Sequence, residues 1–188
     1  VLEGHRPAVD SQGALVAYSS LQITRQVVAY KEQHYSGREI SKDLTRPWSP
    51  VDFNTDGLVL ELPGSWLDAL ADPGGAVRAL EHVLLSVAPA VLACDPYDLD
   101  TSSDRHRIYL YDSFGAGLRI SEVLYERFGD LVELAHEVVA TCPCADGCPS
   151  CVMLARRPDG NSDLSKSGAL DLIDRLGTSS VPFADSRS

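Results

Sequence analysis

Residues 142–151 read CPCADGCPSC, and this stretch decides how the rest of the chain is organised. Four of the five cysteines fall in it, spaced as CxC, three residues, then CxxC. Two short-spaced pairs can supply all four ligands of a tetrahedral zinc ion, with each sulfur about 2.3 Å from the metal. Gly147 permits a sharp reversal between the pairs, while Pro143 and Pro149 restrict the loop before any metal arrives. Four thiolates leave no open coordination position. Cys142, Cys144, Cys148 and Cys151 are therefore expected to hold one structural Zn2+ and not to activate water. The same residues also admit a CxxC redox pair, two disulfides or an iron–sulfur cluster. Against the first stands the loop setting, which lacks the strand-to-helix turn of thioredoxin-type pairs. Against the last stand the spacings, which are not those of the common ferredoxins. Cys94, among small apolar residues, reads as a buried thiol.

Upstream of the cysteines the pattern alternates between sheet and helix. SLQITRQVVAYKEQ, residues 20–33, is rich in β-branched residues and predicts one strand. GLVLELP, residues 57–63, is short, apolar and bounded by turn residues, which predicts a second. Residues 34–50 carry scattered charge, glycine and proline and read as a long connection. Pro73, Gly74 and Gly75 punctuate before a helical stripe of Val77, Leu80, Leu84 and Val87 that should end near Pro89. RHRIYLYD, residues 105–112, predicts a third strand, running into a turn at Phe114, Gly115, Ala116 and Gly117. The stripe Ile120, Leu124, Phe128 then predicts a helix, broken at Gly129 and Asp130 before Leu131, Ala135 and Val138 resume it. After the cysteines, Ser162 or Asp163 could cap a last helix presenting Ala169, Ile173 and Leu176. The expected class is α+β: an antiparallel sheet from the N-terminal half, packed helices, and a C-terminal four-cysteine zinc loop.

With 188 residues the chain can bury a core without staples. No apolar run approaches the roughly 18 residues that would span a bilayer, and no signal-peptide pattern opens the chain, so a cytoplasmic setting is expected. Because the first residue is Val1 and not Met, the chain reads as a piece of a longer polypeptide. A formal charge of -11 argues against gripping nucleic acid over the whole surface, since such affinity comes mainly from Lys and Arg displacing counterions. Two basic clusters survive this objection: Arg105, His106 and Arg107, and Arg156 with Arg157. Solvated surface charge is the ordinary reading of each, and nucleic-acid contact through Arg105, Arg107, Arg156 and Arg157 is the functional one.

Other candidates carry less. YDSFGAGL lacks the full GxGxxG or GxxxxGK[ST] pattern, so close packing of helix on strand is the better reading of its glycines. No Walker motif occurs in the chain, which by itself is not expected to hydrolyse ATP. Asp95, Asp98, Asp100 and Asp104 crowd CDPYDLDTSSD, but an EF-hand needs Gly at its sixth position and Glu at its twelfth, and a polar loop with Asx turns fits better. His82, on the polar side of its helix, and His136, shortly before Cys142, could each ligate a metal, yet no ligand is missing.

The order of these signals, CDPYDLD, IYLYDSFGAGL, a helix, CPCADGCPSC and GNSDLSKSGALDLI, resembles the MrfA-type zinc-binding domain at the C-terminus of superfamily 2 DNA helicases. The match is good over roughly residues 75–178 and looser over the N-terminal strands. It implies a non-catalytic accessory domain of an ATP-dependent DNA helicase, serving DNA repair, with the motor domains of the same polypeptide and single-stranded or forked DNA as partners. The family's zinc ligands carry over onto the same four cysteines. Asp112, the Gly115 to Gly117 turn, Asn161, Leu164 and Lys166 match positions of expected architectural role. Where an Asp is common this chain has Ser165, which puts capping there in question. Residues 1–178 are expected to form one zinc-binding accessory domain, strand-rich over 1–70 and helical over 71–178, with 179–188 a flexible tail. The alternative is a zinc-stabilised protein-interaction module of a repair or phage-defence complex that never meets DNA.

Overall fold

The computed structural model describes the chain except residues 1–3, 12, 28, 34–38, 44–46, 114–118, 157 and 178–188. In chain order the strands are β1 (Gly4–Ser11), β2 (Ala14–Arg25), β3 (Ala29–Gln33), β4 (Glu39–Asp43) and β5 (Val51–Glu61). A single turn of helix, α1 (Gly64–Leu67), and the long α2 (Pro73–Leu92) follow. Strands β6 (Leu99–Ser103) and β7 (Arg107–Asp112) precede α3 (Ile120–Glu126), α4 (Phe128–Thr141) and α5 (Lys166–Gly177).

Five strands form an antiparallel sheet in the order β1-β2-β5-β7-β6, and β3 pairs with β4 in a separate hairpin. The central pair, β2 with β5, runs in unbroken register from Leu15↔Glu61 to Arg25↔Val51. Period-two alternation sends Ala14, Val16, Tyr18, Leu58 and Leu60 to the helical side, all buried. Leu21, Val59 and Tyr111 are buried on a second, smaller apolar cluster, with Ile23, Phe53 and Tyr109 partly buried beside them. Arg25, at the end of β2, reaches Asp100 on β6 at 2.8 Å although β5 and β7 separate those strands, so the sheet coils strongly.

Helices α2 and α3 lie against the sheet, and α4 and α5 pack on α2. α2 starts where its chemistry says it should: Pro73 takes the first position, where no N–H is needed, and the Asp72 carboxylate accepts the Gly75 N–H at 2.9 Å. By length and composition it could cross a membrane, which the apolar-run argument overlooked. Its Leu80, Val83 and Leu84 are fully buried in this core, where sheet and helices surround them.

Several expectations change. The apolar run at residues 20–33 is two strands, because β2 loses its partner at Val51 and Ala29–Gln33 pairs instead with Glu39–Asp43, inside the presumed connection. Pro89 does not end α2, which continues to Leu92 and closes on Ala93 in the left-handed conformation. The polar loop 94–104 does contain an Asx turn, with Asp95 accepting from Tyr97 N at 2.8 Å, and Asp98 reaches back to accept from Asp95 N at 3.0 Å. Its second half is strand β6, which pairs with β7. Asp104 accepts the N–H groups of His106 and Arg107, turning the chain so that the third strand begins at Arg107 and not at Arg105. The helix break falls at Arg127, not at Gly129, and Arg127 donates to the Val91 carbonyl near the end of α2. Val139, more than Val138, faces the core. The cap of α5 is Ser165, whose Oγ accepts the Gly168 N–H at 3.1 Å, so neither Ser162 nor Asp163 serves. The Gly115 to Gly117 turn and the tail from residue 179 lie outside the described residues.

Candidate metal centre

α4 delivers the first cysteine. A residue before proline is driven to extended backbone, and Cys142, preceding Pro143, has φ -69° and ψ 123° directly after the helix ends at Thr141. The reversal toward Cys148 runs through Gly147 at φ +114°, where a Cβ would also sit 2.5 Å from the Val152 side chain. The second pair closes on itself: Cys151 N donates to the Cys148 carbonyl at 3.0 Å, and Cys148 N points at Cys151 Sγ at 3.3 Å.

The four sulfurs converge within 4.8 Å of one another. Cys142 Sγ lies 3.5 Å from those of Cys144 and Cys148, Cys144 Sγ lies 3.5 Å from that of Cys151, and the Cys148 and Cys151 sulfurs are 3.7 Å apart. A tetrahedron with sulfurs about 2.3 Å from zinc has edges of about 3.8 Å. A disulfide needs about 2.05 Å. The donor set therefore fits one zinc ion and not two disulfides. The Ser150 N–H bonded to its sulfur, with the neighbouring Cys142 sulfur, lowers the Cys148 thiol to about 7, while burial pushes Cys151 up to about 12. Four thiols this close cannot all ionise unaided; a divalent cation held among them would supply the missing stabilisation. A metal held by all four sulfurs would have no open position, and its chemistry there would be to cross-link the chain.

Side chains from elsewhere hold the loop. His82 is buried on α2, not on a polar side, and its Nδ1 bonds the Val152 carbonyl at 3.1 Å. Asn161 bonds both the N–H and the carbonyl of Leu154, at 2.8 and 3.1 Å. Lys166 Nζ donates to the carbonyls of Cys142 and Cys144, each at 2.7 Å. Helical periodicity could not find these partners; only the match of Asn161 and Lys166 to motif positions hinted at them. His136 is surface-exposed and pairs with Asp174 across α4 and α5 at 3.1 Å. Cys94 is half-buried, and burial raises its thiol above the ordinary range.

The arginines are used differently from one another. Arg105 and His106 are exposed in the β6–β7 turn, while Arg107 Nε donates to Glu61 at 2.7 Å. Arg156 clamps the loop before β6, donating to the Pro96 and Leu99 carbonyls at 2.6 and 2.9 Å and lying over the Tyr97 ring. Arg157 lies outside the described residues. Asp112 is buried where β7 ends; its carboxylate accepts the Ser121 N–H at 2.8 Å and its carbonyl the Thr55 hydroxyl at 2.8 Å.

Residues 80–152 match the MrfA Zn-binding domain. The chain is 32% identical over 108 residues to the uncharacterized ATP-dependent helicase YprA of Bacillus subtilis, covering 50% of this chain and 14% of that protein. It is 26% identical over 160 residues to the ATP-dependent helicase HRQ1 of Saccharomyces cerevisiae, covering 72% of this chain and 15% of that one. The crystal structure of the DUF1998 helicase MrfA bound to DNA shares the fold, with a TM-score of 0.66 and 22% identity over 94% of this chain and 24% of that chain. The chain thus spans about a seventh of the curated helicases it matches.

Proposed function

We propose that this chain, whose residues 80–152 match the MrfA Zn-binding domain, is the zinc-holding accessory domain of an ATP-dependent DNA helicase. The observation that carries the proposal is the convergence of four sulfurs within 4.8 Å at the end of that matched segment. In this reading Cys142, Cys144, Cys148 and Cys151 are the ligands, and residues 1–178 act as one unit. The rest of the parent polypeptide supplies the motor and the ATP hydrolysis. The domain braces that motor and helps it engage single-stranded or forked DNA, in repair, in the cytoplasm. The names of the relatives support the helicase reading, and MrfA has been crystallised on DNA.

The test uses the full polypeptide. Replacing Cys142 and Cys148 by Ser should abolish zinc binding and lower DNA unwinding by at least the roughly 10-fold that loss of an outer partner of a metal ligand alone produces. Zinc-free protein that unwinds at the wild-type rate would sink the coupling role. Reversing Arg105 and Arg107 to Glu should weaken DNA loading most at low salt, with a shallower salt dependence than wild type.

A second reading, a protein-interaction module without DNA contact, draws support from two observations. The chain carries a formal charge of -11, and Arg107 is ion-paired to Glu61 while Arg156 donates to the Pro96 and Leu99 carbonyls. If the 188-residue chain binds no DNA even at low salt, while the cysteine variants lose a protein partner, this reading prevails.

A further inference from the structure

The two halves of the cysteine loop are organised by different means. The CxxC half is held by its own turn: Cys151 N and Met153 N both donate to the Cys148 carbonyl, at 3.0 and 3.1 Å. For the CxC half, the carbonyls of Cys142 and Cys144, on either side of Pro143, both accept from one ammonium, that of Lys166. Proline has no N–H with which to brace this half from within. Its curvature rests on a side chain that arrives from 22 and 24 residues away in sequence.

That side chain comes from a fixed point. Lys166 is the first residue of α5, directly after Ser165, whose N–H donates to the Gly75 carbonyl of α2 at 3.1 Å. Gly168 approaches Ala76 so closely that a Cβ there would lie 2.6 Å from the alanine methyl. The start of α5 is therefore clamped to α2, and the ammonium is delivered to one place. A zinc ion among four thiolates leaves two net negative charges, in a chain already strongly acidic. A cation against the carbonyls of two ligand residues offsets that charge while fixing their geometry.

We infer that Lys166 is a positioning residue for the metal: it holds Cys142 and Cys144 in ligating geometry, compensates the negative zinc–thiolate group, and so sets how slowly zinc leaves. The inference rests on the zinc reading of the four cysteines. It is tested on the 188-residue chain loaded with Zn2+ and challenged with excess 4-(2-pyridylazo)resorcinol near neutral pH, with zinc transfer followed by absorbance. Lys166→Met, which removes charge and donor together, should release zinc about 10-fold or more faster than wild type, as losses of such outer partners do. Lys166→Gln, which retains a donor but no charge, should fall between, and Lys166→Arg should restore release to within about threefold of wild type on the same scale. Rescue by Arg is what a merely space-filling role would not show. Equal release from wild type and K166M overturns the inference. Should K166M fail to fold by circular dichroism, the pair K166Q and K166R decides, and equal rates for these two overturn it. One zinc per chain with identical release from all variants defeats the inference alone. A wild-type chain that takes up no zinc defeats the zinc reading and the inference with it.

Discussion

Burial and hydrogen bonding oppose each other at Asp112, and the outcome can be measured. Burial raises its carboxyl above the ordinary value of 3.8, and the Ser121 N–H, which pulls the other way, does not cancel the effect. A carboxyl with a raised folded pKa binds its proton more tightly folded than unfolded. Its contribution is therefore fully present below 3.8 and is lost as pH rises through the folded pKa. Asp112→Asn keeps an oxygen for the Ser121 N–H and cannot ionise. The variant should match wild type in acid and equal or exceed its stability at neutral pH, as read from urea midpoints across that range. A neutral-pH loss of about 1 kcal/mol or more, the worth of a typical hydrogen bond, would show instead that the ionised carboxylate is favoured. The exposed Asp104 shows the reverse balance: burial works against it, yet the N–H groups of His106 and Arg107 and the Tyr109 hydroxyl hold its carboxyl below the ordinary range.

Among the elements, α2 joins the sheet to the metal-bearing end. One part of its surface meets β6 and β7 while another receives α4 and α5, and His82 reaches from it to the carbonyl after Cys151. Leu84 has no exposed surface and belongs to the single large core that also contains Cys151 and Val152. Leu84→Ala should cost about 2–5 kcal/mol through lost burial and an unfilled cavity. Denaturant unfolding monitored by both far-UV circular dichroism and zinc release should show the two signals moving together. Zinc release that stays at its wild-type midpoint would mean that the cysteine loop folds independently of α2.

At the scale of the molecule, sheet and cysteine loop differ in how much each needs the metal. The sheet has its own hydrogen-bonded ladder, and strands β2, β5 and β7 carry buried faces. The segment from Cys142 to Leu154 has no helix or strand of its own and relies on sulfur ligation and on His82, Asn161 and Lys166. Removing zinc with a chelator should therefore raise amide hydrogen exchange first over residues 142–154 and at the start of α5, with β5 and β7 protected for longer. Uniform acceleration across the chain would show instead that zinc binding is coupled to folding of the whole domain.

Local chemistry determined much that could be read without the fold. The CxC and CxxC spacing places four sulfurs in a stretch short enough to share one ion, and Pro143 ends α4 at the first cysteine. The apolar face of α2 was legible because burial on one side imposes a period of 3.6, and the strand GLVLELP because it is a short apolar run bounded by turn residues and buried on both faces. What the tertiary structure decided are the long-range pairings. Strand β6 is polar and hides in an aspartate-rich run until β7 pairs with it. The apolar run from Ser20 divides at Arg25 because β5 supplies no partner past Val51. His82 is buried although its position reads as polar, and Arg107 and Arg156 are spent on Glu61 and on the loop before β6. Which donor meets which carbonyl across tens of residues is settled by packing, and a local pattern carries no record of it.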